Sequence, residues 1–148
     1  MELLIVGDGP ERPKLEALAK QLLPRTRFLG HLERQELALC FAGADLFVLP
    51  GTGGLAVQEA MTYGKPVIVG PGDGTEADLV KEGKNGFHVT PGDITCLSEI
   101  ISRCLSNWEA LRQMGEESRR IVEKEYNLDV TVQAFLEAID YVLTRREV

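Results

Sequence analysis

Residues 46–61 read LFVLPGTGGLAVQEAM, and this stretch decides the predicted fold. Four apolar residues, typical of a buried strand, are followed by Pro50 and by three glycines within four positions. A helical pattern then begins and carries one acid, Glu59. Glycines let a backbone approach a bulky ligand, and the free N–H groups at a helix start attract anions. The stretch therefore predicts a strand, a glycine turn and a helix that bind a phosphorylated sugar or nucleotide.

The rest of the chain alternates strand-like and helix-like patterns up to residue 91 and is helical from 92 to 148. Five short runs of apolar residues predict strands at 3–6, 27–29, 46–49, 66–69 and 86–89. Nearly continuous apolar strands that alternate with helices are typical of a parallel sheet covered on both faces. We therefore expect an α/β fold, a Rossmann-like doubly wound parallel sheet of about five strands followed by C-terminal helices, in one domain spanning 1–148.

Composition limits the classes of function. The 148 residues carry a net charge of −7, which argues against a general nucleic-acid binder. No apolar run is long enough to cross a bilayer, and no signal peptide is visible. The chain has an odd number of cysteines and no Cys-x-x-Cys pair; the three are Cys40, Cys96 and Cys104. We therefore expect reduced thiols and a cytoplasmic location.

Four loops, each containing glycine, follow predicted strands: residues 7–10, 30–32, 51–54 and 70–76. Ligands of open parallel sheets bind beyond the carboxyl ends of the strands, so these loops predict one site.

His31 is interpreted either as a contact to a base or ribose or as a solvated loop histidine. Glu76 either faces the pocket with Asp73 or caps a helix with Thr75. His88 alternates within a strand and is interpreted as structural. The two distant histidines lack acids or cysteines at ligand spacing, so no metal site is predicted.

Several motifs occur together in a fixed order along nearly the whole chain. They are GDGP at 7–10, FLG at 28–30, ADLFVLP at 44–50, GL at 54–55, EAM at 59–61, GKPVI at 64–68 and NGF at 85–87. This set resembles the C-terminal, nucleotide-sugar-binding half of retaining GT-B glycosyltransferases of family four, the group-1 transferases. The resemblance implies a domain that binds a nucleotide-diphosphate sugar of the UDP or GDP type, without a cofactor or metal.

The resemblance also implies roles for individual residues. Glu59 would bind the ribose hydroxyls, and the loop that contains His31 would lie near the base. The backbone amides around the glycine turn would hold the diphosphate and the donor sugar; the donor-binding candidates are Gly9, His31, Gly51, Gly53, Gly54, Leu55, Ala56, Glu59 and Glu76. One departure concerns the donor sugar: the family has a second glutamate where this chain has Gly51. The expected replacement is either backbone groups at a flexible Gly51 or a nearby side chain, Glu76 or Asp73.

A second departure concerns the rest of the enzyme. The family's basic pair and its N-terminal, acceptor-binding domain lie upstream of the strand that opens this chain. We therefore expect a fragment that has no catalytic residue of its own and is inactive alone. The whole enzyme would move a sugar to an acceptor hydroxyl with retention, in polysaccharide or glycoconjugate biosynthesis, in the cytoplasm or peripherally at the inner membrane face.

Two other functions stay open. An isomerase of the non-hydrolysing UDP-N-acetylglucosamine 2-epimerase type shares the fold and uses a Gly-Gly turn followed by a glutamate. A non-catalytic interaction module would use the apolar face of the last helix, with Phe135, Ile139 and Val142, to pair with a second copy as a homodimer.

Overall fold

A computed structural model describes residues 1–51, 54–72 and 74–144 of the chain. Within these ranges five strands, all in parallel pairs, alternate with helices, and three longer helices follow. The chain divides into two compact units, Met1–Gly43 and Ala44–Val148, which we call unit 1 and unit 2. The expectation of a single domain over 1–148 stays a prediction.

Unit 1 is a strand–helix–strand motif followed by one more helix. It contains β1 (Leu3–Val6), α1 (Arg12–Leu22), β2 (Thr26–Gly30) and α2 (Arg34–Gly43). The two strands pair in parallel, with Leu3 opposite Thr26. A parallel pair needs a crossover connection, and α1 provides it. A proline in the first turn of α1 fits there because a helix start has no partner for its N–H.

Unit 2 begins with a three-stranded parallel sheet in the order β3-β4-β5. Its elements are β3 (Phe47–Leu49), α3 (Gly54–Thr62), β4 (Val67–Val69), α4 (Thr75–Leu79) and β5 (Gly86–His88). The central strand β4 is fully buried at all three residues. Its sequence is continuously apolar for that reason, since a central parallel strand is covered on both faces.

Three helices complete unit 2: α5 (Ile94–Ser106), α6 (Trp108–Glu125) and α7 (Leu128–Thr144). Asp93 caps α5 by accepting the N–H of Cys96, and Asn107 caps α6 by accepting that of Ala110. Such caps satisfy backbone donors that have no partner inside the helix. The apolar faces of α5 and α6 pack against β4 and β5; the buried cluster comprises Ile68, Phe87, Val89, Ile100, Cys104 and Leu111.

A contact between two glycines fixes α3 against α6. Gly64 ends α3 with a φ of +65°, and its carbonyl oxygen lies 2.2 Å from the position that a Cβ on Gly115 would occupy. No other residue type fits at Gly115 without moving the backbone. Gln58 of α3 also donates its side-chain N–H to the carbonyl of Tyr126, at 2.9 Å. These contacts set the rotation of α3 and leave Glu59 on its solvent side.

The sequence predicts the elements well and their assembly less well. All five predicted strands are confirmed, each within two residues of its predicted bounds. The described strands form two parallel sheets, β1-β2 and β3-β4-β5, where the sequence predicts one. Among the described residues, no helix combines the length and apolar character that a membrane span requires.

Candidate ligand-binding site

The carboxyl ends of β3 and β4 lie side by side because the two strands pair in parallel, with Leu49 opposite Val69. The chain leaves β3 at Pro50 and Gly51 and leaves β4 at Gly70. A Cβ on Gly70 would lie 2.7 Å from the carbonyl carbon of Pro50 and 3.0 Å from the nitrogen of Gly51. A glycine is therefore required at position 70, and it holds the two strand-to-helix connections in backbone contact.

Helix α3 starts immediately beyond this contact. Its first residue is Gly54, and Leu55 follows with 85% of its surface exposed. An apolar side chain this exposed beside a glycine turn is available to a ligand. Ala56 is half-buried. Gly53, which we predict as a source of backbone amides, lies outside the described residues.

Glu59 lies about one and a half turns into α3 and is exposed. Among the described residues, no hydrogen bond or ion pair of its carboxylate is found, whereas Glu109 and Glu117 are paired with arginines of their own helix. Within residues 1–51, 54–72 and 74–144, the acid that the sequence singles out makes no internal polar side-chain contact. Its carboxylate is free to accept hydrogen bonds from a ligand.

Glu76 is buried, with 3% of its surface exposed. Its Oε2 accepts the N–H of Gly74, the residue before the first turn of α4, at 3.2 Å. The capping pair of Thr75 and Glu76 stays a prediction. Its Oε1 is buried and has no hydrogen-bond partner in the part of the chain that the structure describes. The pocket-facing interpretation therefore remains open for Oε1. Asp73, the other candidate for the role of the missing acid, lies outside the described residues.

His88 lies at the end of β5, next to α4. Its Nδ1 is 3.1 Å from a carboxylate oxygen of Glu82, and its Nε2 is 3.4 Å from the carbonyl oxygen of Glu76. The same carboxylate oxygen accepts the backbone N–H of His88. These contacts fit the structural role predicted for His88, because they connect β5 to the segment that contains Glu76.

Unit 1 contains the other two predicted positions. Its loop after β1 lines a cavity of about 390 Å³ together with Arg12 and Phe28. Gly9 lies in this loop and donates its N–H to Asp8 at 2.8 Å. His31 is exposed, and its Nε2 is 3.6 Å from Glu33, as expected for a solvated loop histidine. The interpretation of His31 as a base or ribose contact remains a prediction.

Arg12, which belongs to none of the sequence motifs, organises the loop. Its guanidinium donates to Glu16, Asp8 and the carbonyl of Phe28. The hydrogen bond to Glu16 is the main cause of a raised pKa for Arg12, with the charge of Asp8 adding to it. The signal was present in the sequence, because the two acids lie four residues before and four residues after Arg12. With both acids bound, its charge is neutralised within the chain.

Gly70 thus lies against Pro50 and Gly51 at the ends of β3 and β4, and Gly72, two residues later, lies against Glu76, while Gly54 opens the next helix. Gly9 and His31 belong to unit 1. The two candidate acids of unit 2 differ: Glu59 is exposed and has no partner in the described part of the chain, whereas Glu76 is buried and accepts a hydrogen bond at one oxygen only.

Comparisons with known proteins identify relatives along the whole chain. The sequence model of a family described as glycosyl transferases group 1 matches residues 1–121. An N-acetyl-alpha-D-glucosaminyl L-malate synthase from Bacillus anthracis is 31% identical over 147 residues, covering 97% of this chain and 38% of that protein. A GDP-mannose-dependent alpha-mannosyltransferase from Corynebacterium glutamicum is 45% identical over 90 residues, covering 59% of this chain and 21% of that protein. The chain spans less than two fifths of the length of these relatives.

Solved structures share the fold. A sucrose-phosphate synthase from Thermosynechococcus elongatus has a TM-score of 0.81 at 27% identity, covering 97% of this chain and 39% of that one. The Anabaena protein Alr3699/HepE in complex with UDP has a TM-score of 0.77 at 27% identity, covering 95% of this chain and 41% of that one. The predicted fold class, an α/β half of a GT-B glycosyltransferase, is confirmed by these likenesses.

Proposed function

Because this chain belongs to the glycosyl transferases group 1 family, we propose that it is the donor-binding domain of a glycosyltransferase. The whole enzyme would move a sugar from a nucleotide-diphosphate sugar to an acceptor hydroxyl, with retention at the anomeric carbon. Its acceptor-binding domain would correspond to a part of the longer relatives that the 148 residues do not match. Membership of a transferase family favours this function over the epimerase-type isomerase.

The observation that carries the proposal is a helix that starts at a glycine turn and carries an exposed acid farther along. Helix α3 begins at Gly54 directly after the contact between the β3 and β4 connections, and Leu55 beside it is exposed. Glu59, farther along the same helix, is exposed and has no partner among the described residues. A sugar diphosphate needs both kinds of group, amide donors for the phosphates and an acceptor for hydroxyls.

Each group has a distinct role in the proposal. The amides at the start of α3, around Gly54, Leu55 and Ala56, would hold the diphosphate, and the carboxylate of Glu59 would accept the ribose hydroxyls. During transfer the diphosphate leaves with its negative charge, and fixed amide dipoles stabilise that charge without reorganising. Glu59 would orient the nucleotide and act neither as nucleophile nor as base.

The expected affinity of the isolated chain is low. A helix start contributes about 0.3–1 kcal/mol to holding an exposed anion. Hydrogen bonds to a charged group such as Glu59 add about 1.5–3 kcal/mol. Loss of rigid-body freedom on association opposes these terms by several kcal/mol. The favourable terms reach at most about 4 kcal/mol, which alone would correspond to a millimolar dissociation constant, so we expect binding no tighter than about millimolar and independent of added magnesium or chelator.

The test is a titration of the 148-residue chain with UDP and GDP, followed by amide NMR. We expect shifts at Gly54, Leu55 and Glu59, and an affinity about tenfold lower in Glu59→Ala. Glu99→Ala is the matched control, since Glu99 is also an exposed glutamate on a helix of unit 2. Both variants should keep the wild-type stability.

Two results would contradict the proposed site. Equal affinities of Glu59→Ala and Glu99→Ala would show that Glu59 does not touch the nucleotide. Unfolding of Glu59→Ala would show that the residue is structural.

A specific observation favours one additional function, an interaction through α7. No described residue of this helix is buried, although much of it is apolar. Its exposed apolar face comprises Leu128, Val132, Phe135, Ile139 and Val142. The spacing of these residues alternates between four and three, which is the heptad pattern of a helix that packs on another helix. A second copy of α7 would satisfy that pattern, giving a homodimer of the chain.

Light scattering, which measures the mass of the particle in solution, tests whether the chain forms this dimer. We expect a dimer that persists without nucleotide and dissociates in Phe135→Lys, whereas Gln133→Lys, on the polar face, leaves it intact. A monomeric wild-type chain would rule out self-association and assign the α7 face to the sequence present in the longer relatives.

A further inference from the structure

The carboxylate of Glu76 is satisfied at one oxygen only. Its Oε2 accepts the N–H of Gly74, and its Oε1 is buried without a hydrogen-bond partner in the described ranges. A buried acceptor left unpaired is unfavourable, and more so for a charged group than for a neutral one. Buried polar atoms in folded proteins are nearly all paired, so an unpaired one requires an explanation. The Oε1 atom of Glu76 is an acceptor that lacks its donor.

Two glycines before Glu76, Gly72 and Gly74, leave space for this oxygen. A Cβ on Gly72 would lie 1.8 Å from Oε1, so any side chain at position 72 would displace the carboxylate. Gly74 has a φ of +102°, a conformation that glycine adopts at little cost. The oxygen lies against the backbone of Gly72, which is itself exposed, so a shift of that backbone would open a path from Oε1 to a ligand.

The same segment adjoins the turn that opens the candidate donor site. Gly70, two residues before Gly72, contacts Pro50 and Gly51 through its backbone. Gly51 stands where group 1 transferases, as the resemblance implies, have an acid near the donor sugar. The buried acceptor and the position that lacks one are thus parts of two connections in direct contact.

We propose that Oε1 of Glu76 accepts a hydroxyl of the transferred sugar and so supplies the carboxylate that Gly51 does not; this inference rests on the proposed donor-binding function. An ionised carboxylate only accepts hydrogen bonds, and sugar hydroxyls are the donors that a bound hexosyl group presents. Glu76 is then a determinant of sugar binding and makes no contact with the nucleoside or phosphates.

This role separates two affinities that are otherwise linked. Loss of the Glu76 acceptor lowers the affinity for a nucleotide sugar and leaves the affinity for the corresponding nucleoside diphosphate unchanged. A residue that only shapes the turn would lower both affinities, because the phosphates bind at the same turn. The ratio of the two dissociation constants therefore distinguishes a sugar contact from a structural role.

The experiment titrates the 148-residue chain with GDP, GDP-mannose, UDP and UDP-glucose and follows amide NMR shifts. In Glu76→Gln the side-chain shape is kept, and the amide oxygen can still accept from Gly74. We expect this variant to bind the better of the two nucleotide sugars about tenfold more weakly and the matching nucleoside diphosphate within about twofold. Asp78→Asn, which neutralises an exposed acid of the same short helix, should change neither.

The outcomes separate the two proposals. If the wild-type chain binds none of the four probes, the donor site fails and the role of Glu76 fails with it. If nucleoside diphosphates bind and Glu76→Gln changes both affinities equally or neither, the donor site stands and the role of Glu76 is wrong.

If Glu76→Gln does not fold, a second measurement on the wild-type chain tests the sugar contact. In the wild-type chain, the amides of Gly72 and Gly74 should shift with the nucleotide sugar and not with the nucleoside diphosphate alone. Identical shifts with both ligands would contradict the sugar contact.

Discussion

The two sheets of this chain are built from similar apolar strands but bury them to different extents. In the three-stranded sheet of unit 2, every residue of β4 is fully buried. In the two-stranded sheet of unit 1, Leu3 and Val6 of β1 are 41% and 40% exposed. The crossover helix α1 has no buried residue, although it carries Leu15, Leu18 and Leu22. The difference lies in the number of neighbours, because β4 has a strand on each side and β1 pairs only with β2.

Because the two units differ in burial, they hold the loops at their strand ends in different ways. A strand that is covered on both faces can place the residues at its end accurately, and the ends of β3 and β4 carry Gly51, Gly70 and the segment that leads to Glu76. The loop of unit 1 is held instead by the side chain of Arg12. Exposed ion pairs such as the one between Arg12 and Asp8 contribute little stability. The candidate donor site therefore depends on the packing of unit 2.

The largest expected effect comes from removing the same number of carbon atoms from each unit. Ile68→Ala, in the centre of β4, should lower the free energy of unfolding by about 4 kcal/mol, because it leaves a cavity in a fully buried site. Leu18→Ala, at a position that is 51% exposed in α1, should lower it by less than about 1 kcal/mol. Urea unfolding followed by circular dichroism measures both.

Equal losses in these two variants would contradict the comparison. A loss of about 4 kcal/mol in Leu18→Ala would mean that α1 is buried in solution, against a partner that the isolated chain does not show.

A smaller effect tests how closely the helices of unit 2 approach each other. Gly115→Ala should lower the free energy of unfolding by about 2–3 kcal/mol, since the added methyl group meets the carbonyl oxygen of Gly64. Gly43→Ala is the matched control in α2 of unit 1, where a Cβ meets nothing within 4 Å. It should leave stability unchanged or raise it by up to about 1 kcal/mol through helix propensity. Similar urea midpoints for the two variants would show that α3 and α6 can separate without cost.

The sequence predicted the strands because their signal is local. Continuous apolar runs next to glycine or proline indicate strands, and all five such runs form strands. The exposed position of Glu59 on α3 follows from helical period, which sets it apart from the buried Val57, Ala60 and Met61.

The contacts between distant segments could not be predicted in this way. An apolar run indicates that a strand is buried and does not indicate its neighbour, so the division into two sheets carries no local signal. The contact of Gly64 with Gly115 joins residues far apart in sequence and depends on how two helices pack. The half-paired state of Glu76 depends on the fold of the glycine segment before it, which several turn types would satisfy equally well.

The smallest expected effect concerns cysteine reactivity. Three cysteines form no disulfide: Cys40 in unit 1, and Cys96 and Cys104 in unit 2. Cys104 of α5 is buried, whereas Cys40 of α2 is half-buried. Burial raises the pKa of the Cys104 thiol, and the charge of Arg103 offsets this only in part. Because the thiolate is the reactive form, iodoacetamide at pH 8 should modify Cys40 before Cys104 in the folded chain. In urea the two should react alike, and equal rates in the folded chain would contradict the burial of Cys104.

The same pKa shift predicts a dependence of stability on pH. The folded state raises the pKa of Cys104 above its unfolded value of about 8.5, so it favours the protonated thiol. This contribution is fully present below the unfolded pKa and is lost as the pH rises towards the folded pKa. The urea midpoint should therefore fall more between pH 8 and pH 10 in the wild-type chain than in Cys104→Ala. Parallel declines would assign the loss to the tyrosines and lysines that also titrate at high pH.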